Sequence, residues 1–424
     1  MKIKNVPKLQ AHVLLSALVI SIIISLIISS LLLLHYHSNL QWIKYKTKER
    51  LQRNLQSATN IVISDTLHFN EPGEERLDLF GDNEDSVSIT KEIWGIFNVA
   101  RVKSFNQNQS LHKNFFYGTE LSDTLNSCLF LVDHYRPIQI SGNTKLIGNT
   151  YLPGGGIKPA YIDGRGYNGK ELVTGSILKS DTTFPSENKY LIDKLYGIFK
   201  MTGDKAFQKA NDKIIEDSVS NSFENDIQYY FISNSSKLAT KHIKGKVILF
   251  SDSVIKIKAD AKIEDAIVIA PEINIEDNFE GSVQLIANRV IKVGRHCKLN
   301  YPSAILLVKD STNKYQGTIE IADSTIVSGF LFANAVNKDS YKNIVRLKKG
   351  SLFEGVIYVH GFLQPAGTIY GTVVTDYFLY KSIITTYENS LVDVVIDRTK
   401  LSPFFIGSTL VKTPGKLKII KWLK

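Results

Sequence analysis

Between residues 245 and 382, short apolar runs return again and again, at 247–250, 266–269, 283–286, 304–307, 330–332, 356–359 and 372–374. A small or polar residue stands just before most of them: Asp265, Ser282, Ser303, Gly329, Gly355 and Gly371. The first five runs are each followed by an alternating pair: Ile255/Ile257, Ile273/Ile275, Ile291/Val293, Ile319/Ile321 and Val345/Leu347. The first three pairs are spaced 18 residues apart, and a third apolar position such as Ile263, Phe279, Leu299 or Leu352 often follows. Alternation turns one side chain inward and the next outward. A repeat of this length with small residues at its corners predicts a parallel β-helix of about three short strands per turn, each turn burying its apolar face on the next. An evenly spaced antiparallel sandwich is the alternative. The regular internal register, and the lack of Asn-Gly hairpin loops in this stretch, favour the β-helix. Ile267, Ile273, Ile291, Ile319 and Val345 are the expected inward positions.

This repeat pattern resembles that of the bactofilin-type polymer-forming β-helix proteins, over about 140 residues. The resemblance implies the fold more than filament formation, because the coils here are uneven and long segments flank them.

Ahead of the repeats the periodicity changes. Residues 13–34 read VLLSALVISIIISLIISSLLLL, 22 residues without a charge. At about 1.5 Å per residue they reach across a hydrocarbon core. A cleaved signal peptide is the competing reading, but the run is long and no small-x-small site closes it before His35. Beyond it, Leu40, Ile43, Thr47, Leu51, Leu55, Ala58 and Val62 recur at helical spacing. One helix from about residue 12 to 60, half apolar and half amphipathic, resembles type IV pilin and pseudopilin anchors. The family's Gly and Glu are missing: Ala11 precedes His12, and Ser16 stands at the Glu position. Ala17, Ser21, Ser25 and Ser29 form a small-residue stripe suited to helix–helix packing. Counting Lys and Arg alone slightly favours a cytoplasmic C-terminal side. The short basic leader with Lys2, Lys4 and Lys8 argues for the opposite, a signal anchor with its bulk outside the cytoplasm.

The predicted organisation is a transmembrane anchor (1–35), an amphipathic stalk (36–62) and a β-rich membrane-proximal region (63–135). Starter coils of the solenoid (136–182), a helical insertion (183–225), the parallel β-helix (226–385) and a basic tail (386–424) follow. The tail's Leu417 to Lys424 reads as a final strand or as a docking segment for a membrane surface.

Charge changes the picture little. The net charge of +10 comes from the two ends: residues 1–56 hold eight Lys/Arg and one acid, and residues 411–424 hold five Lys and no acid. That placement suits anionic lipid and argues against nucleic acid. Cys128 and Cys297 lie in no CxxC pair; Cys128 reads as a buried small hydrophobe, and a bond between the two has no support in the pattern. Gly164-Arg165-Gly166-Tyr167-Asn168-Gly169 matches GxGxxG, but strand-like residues follow it instead of a helix, so it reads as a glycine-rich turn. GxSxG is missing, and His296 and His360 have no second ligand at metal spacing. Outward positions mix signs (Lys256, Asn274, Lys292, Glu320, Arg346), unlike a catalytic acidic face.

The expectation is therefore a single-pass, non-enzymatic β-helix protein of the cell envelope, structural and pilin-like, without cofactor or metal. The lipid bilayer and protein partners, or self-association through the anchor, are its expected contacts. A tethered carbohydrate-binding or carbohydrate-cleaving β-helix is the alternative. Two longer loops at one corner are the expected partner face: Lys309, Asp310, Lys314 and Tyr315 in one, Lys338, Asp339, Tyr341 and Lys342 in the other.

Overall fold

A computed structural model describes residues 11–64, 73–212, 217–233, 237–238, 241–309, 315–334, 342–411 and 415–423. The fold is mainly β, with one long apolar N-terminal helix and a parallel sheet of 21 strands. The chain divides into two compact units, residues 1–59, 76–88 and 103–112 in one and residues 60–75, 89–102 and 113–424 in the other.

The first unit holds most of α1 (Ala11–Ser64), a helix of 54 residues with neither Gly nor Pro inside it. It is long and apolar enough to cross a membrane. Its uncharged run is exposed throughout, whereas Leu51, Leu55 and Ala58, at helical spacing, are buried. Beside them Arg50 reaches three carboxylates: Asp82, Glu84 at 2.5 Å and the buried Asp85 at 2.5 Å. Asn54 donates to Asp85 at 2.7 Å. Asp78 pins the intervening turn by accepting from the N–H groups of Phe80, Gly81 and Asn83. Those bonds, Asn83 and Gly81 foremost, hold its carboxyl below the usual range.

The second unit is built on the parallel ladder. Ile255 pairs with Ile273, then Ile291, Ile319, Val345 and Leu363 in one unbroken register. A second column runs Leu249, Val268, Leu285, Ile305, Leu331, Ile357 and Val373. Both columns belong to one continuous core. Equivalent apolar residues stack because a parallel register places each over its counterpart one rung away. The strands 247–250 and their successors are buried on both faces. Their other side chains, such as Phe250, Ile269, Ile286, Leu306 and Phe332, join a second core with Phe97, Phe116 and Leu191. This corrects the expectation for Ile267, which is buried but belongs to the second core, while its neighbours Ala266 and Val268 fill the first. Ile273, Ile291, Ile319 and Val345 lie in the first core as expected.

At one corner Gly329, Gly355 and Gly371 pair in register, with φ of +147°, +140° and +150°. A Cβ at any of them would collide with the carbonyl oxygen of the preceding rung, so only glycine fits this column.

Segment 136–182 lies elsewhere than ahead of the ladder. Val373–Thr375 pairs with Leu129–Leu131, which pairs with strand Thr150–Leu152, which in turn pairs with strand Ile177–Lys179. The N-terminal segment therefore adds to the far edge, after strand Thr368–Lys381, where an exposed apolar edge needed cover. Segment 183–225 carries two helices, α2 (Lys189–Thr202) and α3 (Lys205–Ala210), capped by Asn188 and Asp204, before strand Ser218–Asn221. The tail forms strand Leu417–Leu423, antiparallel to strand Ser110–Thr119 and last in a five-stranded sheet.

Candidate functional site

The helical insertion and one corner of the ladder form the two walls of a groove. Strands Val247–Phe250, Lys262–Ile269, Glu280–Ala287 and Lys298–Leu307 end at this corner, and the residues just beyond them, including Asp252, Pro271, Asn288 and Val308, form one wall. The last turns of α2 form the other, with Tyr196, Gly197 and Phe199. The groove has a volume of about 540 Å³ and is open on one side. That volume falls within the usual range of small-molecule sites.

Sequence and packing explain why the helix sits there. Leu191, Ile192 and Leu195 share one face of α2 and are buried in the second core. The segment leading into α2 is fastened to the ladder: the Tyr358 hydroxyl donates to the Pro185 carbonyl at 2.7 Å. The His360 Nε2 lies 2.5 Å from a Glu187 carboxylate oxygen, and its ring lies 3.7 Å from that of Phe184. Burial pushes the Tyr358 hydroxyl far above its ordinary pKa. Nearer the groove, the Tyr196 hydroxyl donates to the Lys309 carbonyl and accepts from the Asn334 amide, so its ring is fixed. The Asn288 Oδ1 is buried and has no hydrogen-bond partner.

The expected site residues are only partly brought together. Ala17, Ser21, Ser25 and Ser29 all lie exposed on α1, and the Ser21 hydroxyl bonds back to the Leu18 carbonyl at 2.8 Å. Lys309 is buried at the root of its loop, and desolvation lowers its ammonium pKa; it does not project for a partner. Tyr315 is exposed, with the Arg289 guanidinium 5.2 Å from its ring centroid. Lys342 sits 3.7 Å from the Tyr377 ring centroid and 5.3 Å from that of Phe362. The two loops do adjoin at their roots, where the Gln316 amide donates to the Lys342 carbonyl at 3.2 Å. Asp310, Lys314, Lys338, Asp339 and Tyr341 fall outside the described residues.

Sequence reasoning missed the groove because residues 183–225 were expected only as a helical insertion, with no side of it assigned to the ladder. It also missed a buried polar cluster whose signal was present: Gln284 interrupts the apolar run from Val283 to Ala287. Its amide donates to the Trp94 carbonyl at 3.0 Å and accepts from the Ile96 N–H at 2.9 Å. The Trp94 indole donates to the Asp265 carbonyl at 2.7 Å, and the Lys421 ammonium reaches both Asp265 carboxylate oxygens at 2.8 Å.

Redox and metal chemistry find little footing among the described residues. Cys128 and Cys297 are free and buried, and desolvation pushes both thiols up, Cys128 to about 12. His, Cys, Asp and Glu form no group of three there that could hold a metal ion. No helix starts on the 164–169 glycine turn. No protein-family profile, no curated protein and no solved structure matches the chain.

Proposed function

We propose that the chain is a single-pass membrane protein whose parallel ladder winds as a β-helix outside the cytoplasm. Its role is that of a non-catalytic structural or assembly component of the cell envelope. The observation that carries this reading is the first half of α1. Its uncharged run is exposed along its whole length, while the same helix is buried at Leu51, Leu55 and Ala58. Twenty-odd apolar residues without protein cover require hydrocarbon around them.

Winding is supported by the parallel pairing of residues 18 apart, as for Ile255 with Ile273 and Ile273 with Ile291. A structural role is supported by the outward charges, which neutralise one another between rungs: Lys244 with Glu264 at 2.5 Å, Lys298 with Glu280 at 3.3 Å and Lys348 with Glu320 at 3.2 Å. A catalytic carboxylate pair needs two acids held together instead. Anchors associate through the Ala17, Ser21, Ser25 and Ser29 face, in the manner of a pilin-like assembly.

Protease added to spheroplasts should degrade the β-rich part and leave a protected anchor fragment. Full protection of residues beyond the anchor overturns the topology. Replacing Ser21, Ser25 and Ser29 together by Leu should reduce cross-linked oligomers in the bilayer, and unchanged cross-linking removes the association mode.

A further inference from the structure

We infer that the groove beside α2 is a carbohydrate-binding site, built for one or two neutral sugar rings. Four observations converge on this class of ligand.

The first is Gly197. It lies inside α2, where glycine weakens a helix relative to alanine. A Cβ there would meet nothing within 4 Å, so packing gives no reason for its absence. Gly197 lines the groove, and a bare backbone at that point lets a flat ligand lie close against the helix.

The second is the supply of acceptors. Asn288 Oδ1 is buried without a donor, and the Asp252 carboxylate lines the same groove. A ligand rich in hydroxyl donors would be met by the Asp252 carboxylate and by the Asn288 side chain that lines the groove beside it.

The third is the aromatic wall. Tyr196 and Phe199 line the helix side, and the Tyr196 ring is held by its bonds to Lys309 and Asn334. Fixed rings offer contact area at low entropy cost to the apolar C–H face of a pyranose.

The fourth is charge. Lys200 and Asp252 are the charged residues lining the groove, one of each sign. Thr202 and Gly203 at the C-terminal end of α2 line it too, and the negative end of a helix dipole disfavours anions such as phosphate. A lipid tail would leave the acceptors unmet.

The test is isothermal titration of the full-length protein, in a detergent without a sugar headgroup, with cellobiose, maltose and N,N′-diacetylchitobiose. At least one should bind with Kd between about 10 μM and 5 mM. Gly197→Leu should weaken that binding at least tenfold while leaving the thermal midpoint unchanged or higher, since the substitution meets open space and favours the helix. Asn288→Leu should weaken it as well. If none of the three sugars binds, or if Gly197→Leu binds like the parent protein, the assignment is overturned. Neither result bears on membrane anchoring or on the structural role, which the spheroplast experiment tests separately.

Discussion

Gln284→Leu should detach the covering hairpin from the ladder. The hairpin joins strands Ser86–Trp94 and Phe97–Phe105 through Gly95, whose φ is +61°. A Cβ at Gly95 would collide with the Gln284 amide, so side chain and turn backbone fit only with glycine. Leucine has similar volume but satisfies neither the Trp94 carbonyl nor the Ile96 N–H, and Trp94 and Ile96 are both buried. Each orphaned group costs about 1–3 kcal/mol, a gross loss of about 2–6 kcal/mol. The apolar surroundings of the second core recover part of this through the new methyl groups, which leaves about 2–4 kcal/mol. The Trp94 indole bond to Asp265 survives the substitution, so the hairpin should loosen before the ladder melts.

Trp94 is itself the reporter. It is 2% exposed, whereas Trp42 and Trp422 are 55% and 49% exposed, and these two can be replaced by Phe. Urea titration of the full-length protein in detergent, followed by Trp94 emission, gives the loss, and hydrogen exchange at the Ile96 amide localises it. Gln284→Glu sharpens the test. Its carboxylate can still accept from Ile96 but faces the Trp94 carbonyl, which favours the protonated form and raises the folded pKa. The protonated acid donates to Trp94, so this variant should gain stability relative to the parent as pH falls through that raised pKa, and lose it as pH rises. An unchanged Ile96 exchange rate in Gln284→Leu, or a loss below about 0.5 kcal/mol, would show that the amide bonds do not hold the hairpin.

Ile291→Ala, in the middle of the stacked column, should destabilise the full-length protein by about 2–5 kcal/mol, while its exposed neighbour Lys292→Ala should stay within about 0.5 kcal/mol in the same urea titration. Equal effects would mean that the strand faces are reversed. Cys128 and Cys297 should resist maleimide at pH 7.5 until denaturant is added, because burial raises both thiols; labelling of the native protein by mass spectrometry contradicts that burial. Asp133, which accepts from the N–H groups of Gly154 and Tyr135, has its carboxyl held below the ordinary value of about 3.9, so its contribution is present above that pH and lost as pH falls toward the folded value. The stability gap between the parent and Asp133→Asn should therefore close under acid, and a gap independent of pH refutes the assignment.

The rung spacing was legible in the sequence because parallel stacking turns geometry into a period. Ile255, Ile273 and Ile291 are 18 residues apart and pair directly. Strands with one solvated face, such as Glu272–Ile275, also announced their inward residues by alternation. The face of Ile267 was not legible, because a strand buried on both sides is apolar at every position and alternation disappears. Lys309 misled for a related reason: a lysine was read as surface, although its main chain is tied to Asn334 and Tyr196 and its side chain is buried. In α2 the helical character was visible, but the groove depends on what Gly197 lacks, and one glycine in a helix carries no such meaning until its surroundings are known.

Sequence order and stacking order part company at residue 375. Each rung up to Thr368–Lys381 rests on the segment that follows it in the chain. The next positions are filled from two directions: strand Val395–Asp397 pairs with Thr368–Ile369, and Leu129–Leu131 pairs with Val373–Thr375. A parallel ladder extends by one rung wherever a strand of matching pattern arrives, so the physics of the edge is indifferent to which part of the chain supplies it. The apolar register is equally indifferent: Leu129 over Val373 continues the same column as Ile357 over Leu331. What differs is the loop that must close, since Leu129 and Val373 are far apart in sequence and bringing them together costs more chain entropy than pairing neighbouring rungs. The segment expected as starter coils, residues 136–182, carries the pattern of a rung because its strands Lys145–Ile147 and Thr150–Leu152 do pair into the ladder, behind a rung at Leu129–Leu131 that lies in the stretch expected as membrane-proximal. Its position at the far edge follows from which edge was left open, a property of the folded ladder and not of any local stretch of sequence.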